Sequence, residues 1–217
     1  MILYWTKLSS YSAKLRIACA LKSISPELRF PPDGGYRSEA YRRIFPLATV
    51  PVLVDGDMTL GESDAIIEYL DEIHPSTSLL PGPARRRARI RFLSRFHDLH
   101  LEPHLRALFG QAAASARDPA VIAARSAAFA RNLELLEGFL DPQGPFACGP
   151  EPTMADCGFP PTLAIADHLL AMLGQPPNYG PHTRRWRAAL AADQRIESVM
   201  VPYRAEVDAW LAAKATA

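Results

Sequence analysis

The chain has little cysteine and no excess of charge of either sign, and each scarcity removes a class of function. Its three cysteines, Cys19, Cys148 and Cys157, are an odd number without C-x-x-C spacing. That argues against a disulfide framework and against a zinc site, and it favours a reducing, cytoplasmic setting with no metal. Lys and Arg total 24 against 23 for Asp and Glu, a net charge of +1 over 217 residues. No global field therefore draws the protein to nucleic acid or to an anionic membrane, and a small ligand is the expected partner. Long apolar runs are missing as well. Met1-Ile2-Leu3-Tyr4-Trp5 turns polar at Thr6-Lys7, which fits neither a signal peptide nor a membrane span. What is present is 48% hydrophobic residues, enough for a sizeable core in one large or two small domains.

Periodicity divides the chain in two. Ile2 to Trp5 reads as a short strand, and Ser12 to Lys22 as a helix carrying Ala13, Ile17, Ala20 and Leu21. Leu28 to Phe30 reads as a second strand, closed by Pro31-Pro32 and Asp33-Gly34-Gly35, before a helix over Tyr36 to Ile44. Val50 to Val54 and Met58 to Leu60 flank Asp55-Gly56-Asp57, a hairpin signal. A helix from near Glu62 to His74-Pro75 follows, with Ala65, Ile66, Tyr69, Leu70 and Ile73 on one stripe. After the Pro- and Ser-rich stretch from Pro75 to Pro83, the periodic segments are helical. The expected organisation is an α/β domain over 1–76, a linker over 77–84 and an all-helical domain over 85–217.

Four local patterns carry chemistry or capping. Ser9-Ser10-Tyr11-Ser12 stands just before the first apolar-periodic helix, where a serine commonly caps. Thr49-Val50-Pro51 opens a strand. Glu62-Ser63-Asp64 opens a helix, where free N–H groups and a hydroxyl hold an anion or where Ser63 simply caps. Thr153-x-x-Asp156 has capping-box spacing and reads as structural. In this order and at these distances the four resemble the glutathione transferase family, in its serine-type zeta and theta-like classes. The resemblance spans residues 4 to about 160. It implies a thioredoxin-like glutathione-binding domain, a helical domain lining a second-substrate site, and a homodimer.

Further implications of the resemblance concern single residues. Ser9, with Ser10 as reserve, donates a hydrogen bond that favours the thiolate of glutathione, a thiol otherwise mostly protonated at neutral pH. The Val50-Pro51 bond is cis, and Thr49, Val50 and Pro51 pair with the peptide backbone of the ligand. Glu62, Ser63 and Asp64 hold its γ-glutamyl end. The family's Asn-Pro-Lys/Gln stretch is replaced by Phe45-Pro46-Leu47-Ala48-Thr49, so the grip on the glycyl carboxylate falls to other groups, with Arg42, Arg43 and Lys14 as candidates.

On an ideal helix Leu93, His97, His100, His104 and Leu108 lie within about 80° of one another. Three readings stay open for this ridge: a polar wall of the second-substrate cleft with His97, His104 and Phe109 beside Tyr11, a metal pair at His100 and His104, or a surface without catalytic role. Pro103 is expected to kink the helix. The basic run Arg85-Arg86-Arg87-x-Arg89-x-Arg91 follows Glu68, Asp71 and Glu72 of the preceding helix; the resemblance implies that these two helices pack across the homodimer axis, which makes them complementary rows for that interface.

The function expected is attack of the activated glutathione thiol on a small hydrophobic electrophile, by conjugation or by glutathione-dependent isomerisation or dehalogenation. The rivals are a non-catalytic binding or assembly module of the same fold and a thiol oxidoreductase using Cys19. Cys19 lies inside the first helix, not ahead of it, where no free N–H groups stabilise a thiolate. Cys19→Ser is expected to keep glutathione-dependent turnover within about twofold of the parent in a steady-state assay, and loss of turnover would restore the oxidoreductase reading.

Overall fold

The computed structural model describes residues 1–215. It opens with β1 (Ile2–Tyr4), α1 (Ser10–Leu21), β2 (Glu27–Arg29), α2 (Glu39–Ile44), β3 (Val52–Asp55), β4 (Met58–Leu60) and α3 (Ser63–Ile73). The strands make one sheet in the order β2-β1-β3-β4. β1 runs parallel to β2, through the α1 crossover that a parallel pair requires, and antiparallel to β3, which pairs antiparallel with β4. Leu3 and Leu53 are cross-strand partners, and both are buried in one core with Leu15 and Ile17 of α1 and Ile66, Ile67 and Leu70 of α3.

Local chemistry explains the joints. Gly56 supplies a φ of +61° at the first central position of the β3–β4 turn, a conformation that a two-residue hairpin needs and a side chain resists. Gly61 is required by contact: a Cβ there would stand 2.2 Å from the Phe45 ring. The expected β3 start at Val50 moves to Val52, where pairing with Tyr4 begins, and the Val50-Pro51 bond before it is cis.

Beyond a linker the chain is helical: α4 (Ala84–Phe96), a π turn (His97–Leu101), α5 (Glu102–Arg106), two short 3-10 turns, α6 (Pro119–Phe139), α7 (Met154–Cys157), α8 (Phe159–Met172), α9 (Pro181–Ala192) and α10 (Gln194–Ala215). The two parts share one core, since α1 packs on α3 and also on α8 and α10. Lys22, at the end of α1, fixes the linker. Its ammonium donates to Asp71 Oδ1 at 2.8 Å and to the carbonyls of His74 and Thr77 at 2.8 and 2.6 Å, so a cation closes the carbonyl end of α3. Among the described residues no helix is long and apolar enough to cross a membrane.

The histidine ridge is not a ridge. The π turn adds one residue to a helical turn and rotates everything after it by about 100° relative to an α-helix. The buried stripe therefore passes from Leu93 and His97 to Leu101, Leu105 and Leu108, leaving His100 exposed and His104 half-buried. Pro103 sits in the first turn of α5, just past the π turn, where its missing N–H is tolerated.

The Thr153-x-x-Asp156 capping box forms as expected. Asp156 is fully buried and accepts four hydrogen bonds: from Thr153 N at 2.8 Å, Thr153 Oγ1 at 3.0 Å, Ala147 N at 2.9 Å and Trp186 Nε1 at 2.7 Å. An amide in its place would point N–H groups at N–H groups. Asp156→Asn is expected to lower the unfolding free energy by about 3 kcal/mol in denaturant titration, and an unchanged midpoint would contradict this account of the cap.

Candidate active site between the sheet and the helices

A cleft of about 690 Å³ lies between the two parts. From the sheet side it is lined by Ser9, Tyr11, Thr49, Val50 and Pro51, with Glu62 and Ser63 at its floor. The helical side contributes Arg95, Asp98, Leu99, Arg106 and Phe109. Of the residues singled out from sequence, Ser10, Asp64, His97 and His104 are not among its lining.

Ser9 caps α1 and keeps its hydroxyl hydrogen unused. Its extended backbone (φ −72°, ψ 115°) makes it the N-cap of α1, and its Oγ accepts from Ser12 N at 3.1 Å. The hydroxyl hydrogen has no partner among the described residues, so the group that closes the helix can still donate into the cleft. Ser10 faces the other way. It is buried, donating to Glu102 Oε1 at 3.1 Å and accepting from Arg106 Nη2 at 3.2 Å. The sequence could not choose between the two hydroxyls because that choice is set by the phase of the first helical turn.

At the other end of the floor, Glu62 holds a φ of +63°. That left-handed conformation costs a side-chain-bearing residue about 1–3 kcal/mol. It turns the chain into α3 with no side-chain cap, so the first N–H groups of the helix point out beside the buried Ser63. A helix N-terminus with open N–H groups and a hydroxyl is built to receive a carboxylate. Between the two ends, Tyr41 of α2 donates its hydroxyl to Thr49 O at 2.9 Å and so anchors the segment that carries Val50. Val50 precedes the β3 ladder and makes no backbone hydrogen bond among the described residues, which leaves its N–H and C=O open to an extended peptide.

Behind the cleft lies a cation. Lys14 on α1 is fully buried and meets Asp64 Oδ1 at 2.6 Å and both oxygens of Asp98 at 2.8 and 2.9 Å. Ser94 donates to Asp64 at 2.8 Å, while Asp98 also meets His97 Nδ1 at 2.7 Å. His97 Nε2 in turn meets Thr162 Oγ1 at 2.7 Å. Asp64 and His97 thus belong to a buried lattice of ions and hydrogen bonds, and neither is among the cleft lining; Asp64 Oδ2 keeps no partner among the described residues. Lys14, spent on two carboxylates, is not free to grip a glycyl carboxylate. Arg42 and Arg43 lie outside the cleft lining, and the arginines that line it are Arg95 and Arg106. His104 turns toward α6. Burial, followed by the nearby charges of Arg125 and Arg131, pushes its pKa below the ordinary imidazole value.

Tyr11 donates its phenol to Glu102 Oε2 at 3.1 Å. Burial, then the charges of Glu102 and Asp98, push its pKa far upward, so it stays a neutral phenol and cannot serve as the base for a thiol. Sequence reasoning passed over Glu102, Arg106 and Asp98. The available signal was the i, i+4 spacing of Glu102 and Arg106, which by itself describes a solvated helix pair.

The chain matches the family model for the glutathione S-transferase N-terminal domain over residues 3–78 and that for the C-terminal domain over residues 119–189. It belongs to the glutathione transferase family. The maleylacetoacetate isomerase of Rattus norvegicus is 31% identical over 198 residues, covering 89% of this chain and 90% of that protein. Among solved structures, the holo form of a maleyl pyruvate isomerase, a bacterial zeta-class transferase, superposes with a TM-score of 0.77 at 28% identity, covering 94% of this chain and 98% of that one. The maleylacetoacetate isomerase of Methylobacterium extorquens AM1, with malonate and glutathione bound, has a TM-score of 0.77 at 25% identity, over 94% and 97% of the two chains. The thioredoxin-like part with its helical partner is thus the transferase fold.

The rows expected for a two-fold interface are partly consumed within the chain. Arg91 forks Glu68 at 2.9 and 2.7 Å, and Asp71 turns to Lys22.

The buried lysine sets an acid limit. Burial raises the Asp98 pKa, but His97 and Lys14 outweigh it and hold the carboxyl below its usual value. A depressed carboxyl stabilises the fold above its unfolded pKa of about 3.9 and loses that contribution as pH falls further. Lys14→Met is expected to cost about 3 kcal/mol at neutral pH and, by removing one cause of the depressed carboxyl, to flatten the further loss of stability on acidification. Denaturant titrations followed by circular dichroism across pH 2–7 check both, and an acid limb as steep as the parent's would deny Lys14 this role.

Proposed function

We propose that the protein activates glutathione for reaction with a small electrophile that carries a carboxylate, and that the reaction is an isomerisation about a cis double bond. The supporting observation is Ser9: a hydroxyl whose oxygen is occupied by the helix and whose hydrogen is left for the cleft. Glutathione supplies the nucleophilic sulfur. Ser9 donates to that sulfur and favours its anion, helped by the positive end of α1. The backbone at Val50 aligns the peptide, and the start of α3 with Ser63 receives the γ-glutamyl carboxylate while Glu62 stands near its ammonium. Asp98 and the neutral phenol of Tyr11 bound the open half of the cleft.

Two features favour isomerisation over other thiol transfers. The relatives quoted above are named as isomerases of maleyl compounds, in which a carboxylate sits on a cis double bond. Arg95 and Arg106 line the cleft on its helical side, and guanidinium groups orient carboxylates through paired donors. The remaining organisation, a homodimer of chains each with domains at about 1–76 and 85–217 working in the cytoplasm, accords with this reading.

The test follows the sulfur. Bound to the parent, glutathione should titrate below the value of about 8.5 for a free thiol, as read from the ultraviolet absorbance of the thiolate. Ser9→Gly removes the hydroxyl while costing the cap only a few tenths of a kcal/mol. It should return the thiol to its free value and lower kcat by about 100-fold. A thiol that titrates at its free value in the parent would leave a binding module instead of an enzyme.

A further inference from the structure

Outside the serine loop and the start of α3, the most heavily hydrogen-bonded group beside the cleft is a carboxylate that does not line it. Glu102 is 2% exposed. Oε1 accepts from Ser10 Oγ at 3.1 Å and from Arg106 Nη2, and Oε2 accepts from Tyr11 Oη at 3.1 Å and from Arg106 Nε at 3.1 Å. An ionised carboxylate has about four lone-pair positions, and here all are taken, by donors from α1 and from α5. Glu102 has nothing left to offer a ligand.

Its effect is on what it holds. The fork on Glu102 uses the Nε and Nη2 edge of Arg106, and the second Nη2 hydrogen goes to Ser10 Oγ. The guanidinium carbon lies 5.3 Å from the Tyr11 ring centroid and 5.5 Å from that of Phe109. Held by the carboxylate and by two ring faces, Arg106, which lines the cleft, keeps its Nη1 hydrogens without a partner among the described residues.

We propose that Glu102 is the positioning residue of the second-substrate half of this site: it aims Arg106 at an anionic acceptor and ties that aim to the helix that carries Ser9. The proposal rests on the transferase reading for the identity of the acceptor, and on the geometry alone for the roles of Glu102 and Arg106. Charge and position make opposite predictions. Neutralising Glu102 raises the net positive charge of the cleft, which by itself would tighten an anion. Losing the fork frees Arg106 and loosens it.

Malonate is the probe, titrated calorimetrically into the protein with and without saturating glutathione. Binding to the parent is expected, and in Glu102→Gln it should weaken at least tenfold while glutathione affinity stays within twofold. Arg106→Gln should weaken malonate to the same extent. Equal loss of malonate and glutathione binding would mean general loosening and would overturn the proposal. So would unchanged or tighter malonate binding in Glu102→Gln, or no malonate binding by the parent. If Glu102→Gln does not fold, Glu102→Asp keeps the charge and withdraws the fork by one methylene. It should weaken malonate about threefold, and parent affinity in that variant refutes the positioning role. A parent that takes up malonate but not glutathione would sink the transferase reading while leaving Glu102 in place.

Discussion

The site depends on one ammonium group kept out of water. Lys14 enters the protein interior from α1 and finds Asp64 from α3 and Asp98 from the π turn, so three segments drawn from both halves of the chain meet on a single charge. Removing an ion from water costs several kcal/mol that only close, well-directed partners recover. The arrangement is therefore intolerant of displacement. A shift of α3 relative to α1 would separate the cation from Asp64 and, in the same movement, separate the start of α3 from Ser9. The two ends of the cleft floor are thus held at a constant spacing by a buried group outside the cleft lining.

Around that anchor the cleft is built from element ends. Ser9 opens α1, Glu62 and Ser63 open α3, and Thr49 to Pro51 precede β3. Ends are where backbone groups lack partners inside their own element, and three such ends converge along one wall. The strained φ of Glu62 belongs to the same economy. The residue gives up a comfortable conformation so that the first N–H groups of α3 point into the open.

Much of this was legible in the sequence, and for physical reasons. Turn chemistry located the β3–β4 hairpin, because Asp55-Gly56 has few other uses between apolar runs. Helical period and caps located α1, α3 and the box at Thr153 and Asp156. The resemblance, carried by the serine loop, the Val50-Pro51 pair and the Glu62-Ser63 pair, pointed to the residues that now line one wall. Of the opposite wall, only Phe109 was legible. His97, His100 and His104 were aligned by assuming an unbroken helix, and one extra residue in the π turn rotated the last two off the line. Asp64 and Lys14 looked like ligand-facing charges because their mutual proximity arises only from packing between α1 and α3. Glu102 and Arg106 had the spacing of an ordinary surface pair, and only the descent of α5 against α1 buries the carboxylate and leaves the guanidinium at the wall.

The π turn has a structural meaning of its own. A rod with uniform screw symmetry can show only one stripe to the interior, whereas a rod with a slip in its phase behaves as two rods joined end to end. Up to His97 this one faces Thr162 and the lysine lattice, and past Leu101 it packs on α6 and α8. A single continuous strut thereby serves neighbours that lie in different directions, α5 packing on α6 and α8 while Glu102 reaches Ser10 and Tyr11.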